Sequence, residues 1–540
     1  MSYSEAFDTL VEDIFNNFMK RDPVSATFMG LHQFDGEMPD GSRETYLKDI
    51  ESNRRYLSKF EAFHTEDLPR ERTLDRELAI HGLKLQIFED ESLRFWESMP
   101  NGVNTIGDAL FPLFTRNFAP FESRLNSITQ RIEKAPRFLE ETKSRIRRPV
   151  KLWIQIAAES SKKLPLFLDT ITSTARSREL DTRRLEEAVK ELCACLKEYE
   201  EWLSAELVPK AREEFAIGPE KFEDLLGLRG FDMSSGEILA FGESSLRDEK
   251  KRLEELSRKI DPDATVEEVK AKIKSSHPAT FEESLNLVRQ TVQEAKRFVS
   301  ERSFATIPEG EDLIVMETPS YLRHIIPFAA YFGPARFEPS KVGIYITTPP
   351  ADGDAEVLGE LNYASISNTA VHEGYPGHHL QLTYNALNPS LIRALFHGTE
   401  FIEGWAHYCE EAMKTLGWRD TLEARFMQAV DLIWRAARII IDVKLSTGLI
   451  SFEEAVDLLV KETGMAKASA VAEVKRYTYT PGYQLSYYLG KHLIKGLKKD
   501  AEKLWGDQYS DRRFHDLILG SGGLPIKLLK KVITDSDMQP

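Results

Sequence analysis

Five of the chain's twelve histidines, His372, His378, His379, His397 and His407, fall between positions 372 and 407. The densest stretch reads Val371-His372-Glu373-Gly374-Tyr375-Pro376-Gly377-His378-His379. A His-Glu pair followed closely by another His is the layout of zinc hydrolases, in which two imidazoles hold the ion and the carboxylate activates water. Zinc draws the pKa of its water down to about 7, so a neighbouring carboxylate can take the proton at neutral pH. In the usual form the second His follows the first by four residues on one helical face. Here it follows by six or seven. On an unbroken helix His378 would point about 240° away from His372, and His379 would share its face but sit about 10 Å further along. Neither pair could close on an ion at bond lengths of about 2 Å. Pro376, with Gly374 and Gly377 beside it, predicts an interruption that rotates the second His back towards the first, leaving His378 and His379 both as candidates.

A third ligand has to come from another segment. Glu400, Glu403, His407, Glu410 and Glu411 lie in or beside a predicted helix, Phe401–Leu416. Glu403 and His407 are four apart and share a face, with Glu410 one turn beyond. Two His and one Glu form a common catalytic zinc set that leaves a position for water and substrate. Glu403 is therefore expected as the third ligand, with His407 and Glu410 supporting the ligands or touching substrate. His397 is expected to be structural. The expected cofactor is Zn2+, although manganese, iron or cobalt also suit two His and one carboxylate.

These side chains must be positioned by helices for the most part. Phe7, Leu10, Val11, Ile14, Phe15 and Phe18 follow helical spacing, as do Leu185, Val189, Leu192, Leu196, Tyr199 and Leu203. From Ile238 to Ile260 the density of Glu, Lys and Arg predicts a solvated helix. Pro23 and the Gly36–Gly41 stretch end the first helix and open a loop. The stretch Pro308–Pro350 differs: Leu313–Met316 and Val342–Thr348 are β-branched runs bounded by Pro and Gly, expected as strands of a small sheet. Helical signals resume after Pro350.

Composition narrows the function classes. Lys and Arg number 71 against 87 Asp and Glu, a formal net charge of −16, which argues against nucleic acid and anionic membrane surfaces as partners. With 41% hydrophobic and 29% charged residues the chain reads as globular. Cys193, Cys195 and Cys409 cannot make a disulfide framework, and burial is the expectation for the first two. Glu5, Asp8, Glu12 and Asp13 interrupt what a signal peptide would need as an apolar stretch. The best apolar run, Ile325–Ala335, is too short to span a bilayer. The expected location is cytoplasmic.

The same residues resemble a known family. His372-Glu373-Gly374-Tyr375-Pro376-Gly377-His378-His379-Leu380-Gln381 resembles the signature of the domain of unknown function 885 family, whose members look like zinc metallopeptidases of the gluzincin type. Glu403-Gly404-Trp405-Ala406 with Tyr408 and Glu410 is similar to that family's second block. Arg476-Tyr477, Pro481-Gly482 and Ser486-Tyr487 with Gly490 are similar to its third, and Pro23–Leu31 to its opening. The resemblance implies a mainly α fold: one large, two-lobed helical metallopeptidase-like domain over 1–540. Its parts would be a mostly helical lobe over 1–305, a small β-sheet over 306–350 beside the active-site cleft, and a helical zinc-site lobe over 351–540. It implies His372, His378 and Glu403 as zinc ligands and Glu373 as general base. His378 is preferred because peptidases with a lengthened His-Glu motif use the His directly after a Gly. Ser446 stands where many members carry a His.

The expected reaction is hydrolysis of peptide bonds in short or unfolded peptides, with a peptide or small amide as substrate. Glu373 would deprotonate the nucleophilic water and pass the proton to the leaving amine. Tyr487 and Arg476, in a donor-rich segment, are expected to stabilise the oxyanion. The strand Gly343–Thr348 could hold an extended peptide by backbone pairing. The alternatives are a metal-dependent hydrolase of a non-peptide amide or ester, and a helical binding protein with a vestigial metal site.

Overall fold

A computed structural model describes residues 2–318, 323, 329–350 and 355–536. The fold is mainly α with one three-stranded sheet among the described residues. No helix of the described residues is long and apolar enough to cross a membrane. Of the apolar run Ile325–Ala335, residues 325–328 lie outside the described residues.

Two compact units divide the chain: residues 1–215 with 335–339, and residues 216–334 with 340–540. The first unit is helical. Its opening helix, Tyr3–Arg21, is started by a Ser2–Glu5 capping box and buries Phe7, Leu10, Ile14 and Phe15, much of the predicted stripe. Pro23 opens the next helix, Pro23–Phe28. Helix Arg183–Trp202 buries Leu185, Leu192, Leu196 and Tyr199. Cys193 and Cys195 are only half-buried, because those leucines take the inward face. Cys409 is fully buried.

The second unit carries the chemistry. Helix Ser235–Ile260, capped by a Ser234–Glu237 box, is not simply solvated: Ile238, Leu246 and Leu256 are buried. Leu246 joins Ile433, Ala436 and Ile440 of helix Leu422–Thr447 in one apolar cluster. Helix Thr399–Thr415, close to the predicted 401–416, packs against helix Tyr488–Trp505. Gly404 and Gly490 meet at that crossing. A Cβ on Gly404 would stand 2.4 Å from the Gly490 carbonyl carbon, and one on Gly490 2.3 Å from the Glu400 oxygen.

Both predicted strands form, as β1 (Glu311–Glu317) and β3 (Lys341–Thr347). A third, β2 (Ala329–Phe332), lies inside the run read only as apolar. The order is β1-β3-β2, with β1 and β3 parallel and β2 antiparallel to β3. The strand expected to receive a peptide by backbone pairing is thus the central one. Both its sides are already paired, which removes that role.

Candidate metal centre

Asn362 caps helix Tyr363–Thr369, its side chain accepting from the Ser365 N–H at 2.9 Å. The helix runs into a π-helical turn, Ala370–Gly374, that carries His372 and Glu373. Tyr375 is extended, its peptide to Pro376 is cis, and a new helix, His378–Leu387, begins after Gly377. The Gly377 N–H donates to the Val371 carbonyl at 3.0 Å, and a Cβ on Gly377 would lie 2.0 Å from the His372 oxygen. Only glycine fits so tight a return. The interruption expected at Pro376 is present, and it brings the rings of His372 and His378 to 4.8 Å, nearly perpendicular at 84°. Helix 399–415 is tied to the break: the Trp405 indole N–H donates to the Pro376 carbonyl at 2.7 Å.

Three side chains converge there. One ligand atom from each of His372, His378 and Glu403 lies within 4.8 Å of the other two. A second triple, His372, His407 and Glu410, meets the same criterion. His372 belongs to both, and its hydrogen bonding separates them. His372 Nδ1 lies 2.7 Å from Glu410 Oε1, a carboxylate that also stands 3.2 Å from His407 Nδ1. An imidazole that gives its Nδ1 proton to a carboxylate keeps its lone pair on Nε2, the arrangement that orients metal-binding histidines. Glu403 is oriented in turn by the Tyr483 hydroxyl, which donates to its Oε1 at 3.0 Å. His378 Nδ1 is buried with no hydrogen-bond partner among the described residues, and its Nε2 lies 3.6 Å from Glu403 Oε2. A donor set of two imidazoles and one carboxylate, held by a second carboxylate and a phenol, fits a divalent ion.

The electrostatics agree with a cation site. Burial works against a charged His372, but the Glu410 hydrogen bond and the charges of Glu373, Glu410 and Glu403 outweigh it and raise its pKa to about 9. Burial pushes the Glu403 carboxyl up, yet His378, His372 and His407 hold it below the ordinary value. Burial drives His378 down, helped by His372. It drives His407 down to about 3 in spite of Glu410. Carboxylate charge thus dominates at His372, while His378 and His407 are kept neutral, the form that binds metal.

The remaining expected residues fall in several places. Glu373 sits beside His372 on the π turn, half-buried, and its charge acts on His372, His378, Tyr331 and Tyr345. His379 is buried away from the triple: its Nε2 meets Glu311 of β1 at 2.5 Å and its Nδ1 meets the Tyr331 hydroxyl at 2.9 Å. Tyr375 donates to the same Glu311 at 2.6 Å, and Lys296 pairs with it. Gly343 of β3 allows this approach, since a Cβ there would meet His379 Nδ1 at 2.4 Å. His379 therefore fastens the motif to the sheet. Tyr487 is near the site, its ring 6.0 Å from that of His407 and beneath the Arg438 guanidinium at 4.6 Å. Arg476 is engaged elsewhere, paired with Glu473 at 3.0 Å. His397 is exposed and belongs to neither triple.

Two contributors were not singled out from sequence. Tyr483 holds Glu403, although 80 positions separate them. Asp442 is buried and accepts from the Gly482 N–H at 2.8 Å, the Gln484 N–H at 2.8 Å and the Ser446 hydroxyl at 3.0 Å. It anchors the turn that presents Tyr483. Ser446, in the position where a His was expected, serves that anchor.

Fold and site together define a mainly helical protein with a partly buried His-His-Glu cluster of metal-binding composition. The chain belongs to the family described as "Bacterial protein of unknown function (DUF885)", whose model matches residues 23–533. Among solved structures it is similar to a putative lipoprotein of unknown function from Shewanella oneidensis, at 21% identity and a TM-score of 0.81, covering 99% of this chain and 100% of that one. It is also similar to a putative lipoprotein from Colwellia psychrerythraea, at 19% identity and a TM-score of 0.84, covering 100% of both chains. At these identities the likeness is one of fold. No curated protein matches the chain.

Proposed function

We propose that the protein is a zinc-dependent, metallopeptidase-like hydrolase that cleaves peptide bonds of short or unfolded peptides. The observation that carries this reading is the convergence of His372, His378 and Glu403 beside Glu373. His372, His378 and Glu403 would hold the ion, and zinc so held supplies Lewis acidity to the carbonyl and to water. Glu373, next to His372 in sequence, takes the proton of the attacking water and returns it to the leaving amine. Glu410 keeps His372 in one tautomer and Tyr483 fixes the Glu403 carboxylate. Tyr487, close to His407 and backed by Arg438, is the donor for the developing oxyanion. Arg476, spent on Glu473, is dropped from that role.

The test is a mixed peptide library read by mass spectrometry, with wild-type protein before and after chelation and with Glu373→Gln. Cleavage should vanish with chelator, return with zinc, and fall by about 10²–10⁴-fold in Glu373→Gln, while the variant still binds one metal per chain. Metal binding without any peptide cleavage would shift the reading to a non-peptide amide or ester. No metal binding at all would leave a helical binding protein. For location, the sequence reading is cytoplasmic, whereas the lipoprotein names of the two similar structures favour the cell envelope; fractionation of expressing cells decides between them.

A further inference from the structure

Away from the histidine cluster, the second unit holds a groove of about 600 Å³ whose lining runs against the charge of the whole molecule. Arg252, Arg425, Lys491, His492, Lys495 and Lys499 line it, against the carboxylates of Glu249 and Glu411. They come from the charged 235–260 helix and from helices 399–415, 422–447 and 488–505. The protein's net charge is −16, so the convergence of five permanent cations in one concavity is not a sample of its average surface.

The cations are held in position. Lys491, only 4% exposed, pairs with Glu411 at 2.6 Å, and Lys495 reaches the other oxygen of that carboxylate at 2.6 Å. Arg252 lies 3.3 Å from Glu249, whose second oxygen accepts from the Tyr488 hydroxyl at 2.9 Å. Arg425 is paired with Asp420. Three carboxylates, Glu249, Glu411 and Asp420, thus hold four of the five cations, which leaves a surplus of two positive charges at the groove. The sequence of helix 488–505 adds a separate observation. Gly496 sits in its interior, where glycine costs about 1 kcal/mol relative to alanine. A Cβ there would meet no protein atom within 4 Å, so packing does not require the glycine. Gly496 is part of the groove lining, and its missing side chain widens the floor between Lys495 and Lys499.

We propose that this groove binds a small polyanion carrying phosphate groups. Arg252 and Arg425 already hold Glu249 and Asp420, so they act with the lysines as fixed positive charges on one concavity that attract phosphate oxygens. Its volume lies within the roughly 300–1,000 Å³ of small-molecule sites. A buried Lys491 suits a ligand that enters the concavity better than a flat bilayer face.

The probe is pyrophosphate, titrated calorimetrically into the full-length protein at low salt. Parallel titrations use the double variant Lys495→Gln/Lys499→Gln and, separately, Gly496→Leu, which fills the groove without altering charge. Wild type should bind one pyrophosphate per chain, more weakly as salt rises. Both variants should weaken binding at least tenfold without loss of stability, Gly496→Leu melting somewhat above wild type because the helix penalty of the glycine is removed. Absence of saturable binding into the millimolar range would overturn the proposal. So would unchanged affinity in Gly496→Leu, which would put the anion elsewhere on the surface. Capture by vesicles of phosphatidic acid in phosphatidylcholine, without pyrophosphate binding, would also overturn it by assigning the cations to a membrane surface.

Discussion

Replacing Glu410 by Gln separates the two metal-binding triples that share His372. The carboxylate is 5% exposed and lies 2.7 Å from His372 Nδ1. Gln keeps an oxygen that can accept the same hydrogen bond but removes the charge. A charge-assisted bond is roughly twice as strong as a neutral one, and a neutral bond contributes about 1 kcal/mol net. The loss is then about 1–2 kcal/mol, or a fivefold to thirtyfold fall in zinc affinity at about 1.4 kcal/mol per decade. That lies at the lower end of the ten- to hundredfold usual for groups that orient a metal ligand. Glu403→Gln, which removes a ligand itself, should cost more than about a hundredfold. Competition against a chromophoric zinc chelator at pH 7 measures both, with far-ultraviolet circular dichroism to confirm the fold. If Glu410→Gln abolishes binding while Glu403→Gln leaves it within a few-fold, the ion belongs to His372, His407 and Glu410, and the assignment of roles is reversed. If Glu410→Gln binds as wild type does, the Glu410–His372 bond does not orient the ligand.

Three further outcomes follow from the geometry. Tyr483→Phe removes the donor to Glu403 and should lower zinc affinity about tenfold with little change in unfolding by urea; a strong destabilisation instead would make Tyr483 a packing residue. Gly490→Ala drives a Cβ to 2.3 Å from the Glu400 oxygen at the helix crossing and should cost about 1–3 kcal/mol or more, read as a lower urea midpoint; an unchanged midpoint would contradict that close packing. Burial raises the Asp442 carboxyl to about 6, outweighing its three hydrogen bonds, so the folded state favours the protonated acid. The stabilisation is complete below the ordinary value near 4 and is lost as pH rises through about 6, for a change of about 3 kcal/mol. Urea unfolding between pH 4 and 7 should show wild type losing that margin relative to Asp442→Asn, and a flat difference would refute the shift.

What the sequence made legible here was local, and what it hid was tertiary. The break at Pro376 could be read because proline and two glycines act on their own backbone, and the structure places a π turn and Gly377 there. The face shared by Glu403 and His407 is likewise a matter of helical spacing alone. The choice between His378 and His379 was different. Helix geometry left both open, and it is Glu311, on a strand far upstream, that draws His379 away, with Gly343 clearing its path. No spacing rule connects 311 or 343 to 379. Strand β2 was missed for a related reason: four residues of Ala329–Phe332 carry too little alternation to separate a strand from any short apolar run. Arg476 has a local partner that was already in view. Glu473 precedes it by three residues within one helix, a spacing that favours an ion pair, and that pair forms and competes with the more distant role expected of the guanidinium. Long-range reach should therefore be credited to a charged side chain only after its i ± 3 and i ± 4 neighbours have been checked. Tyr483 also has an i + 4 neighbour, Tyr487, whose ring lies 6.0 Å from its own, yet its hydroxyl extends to Glu403, so a local partner weighs against a distant role without deciding it.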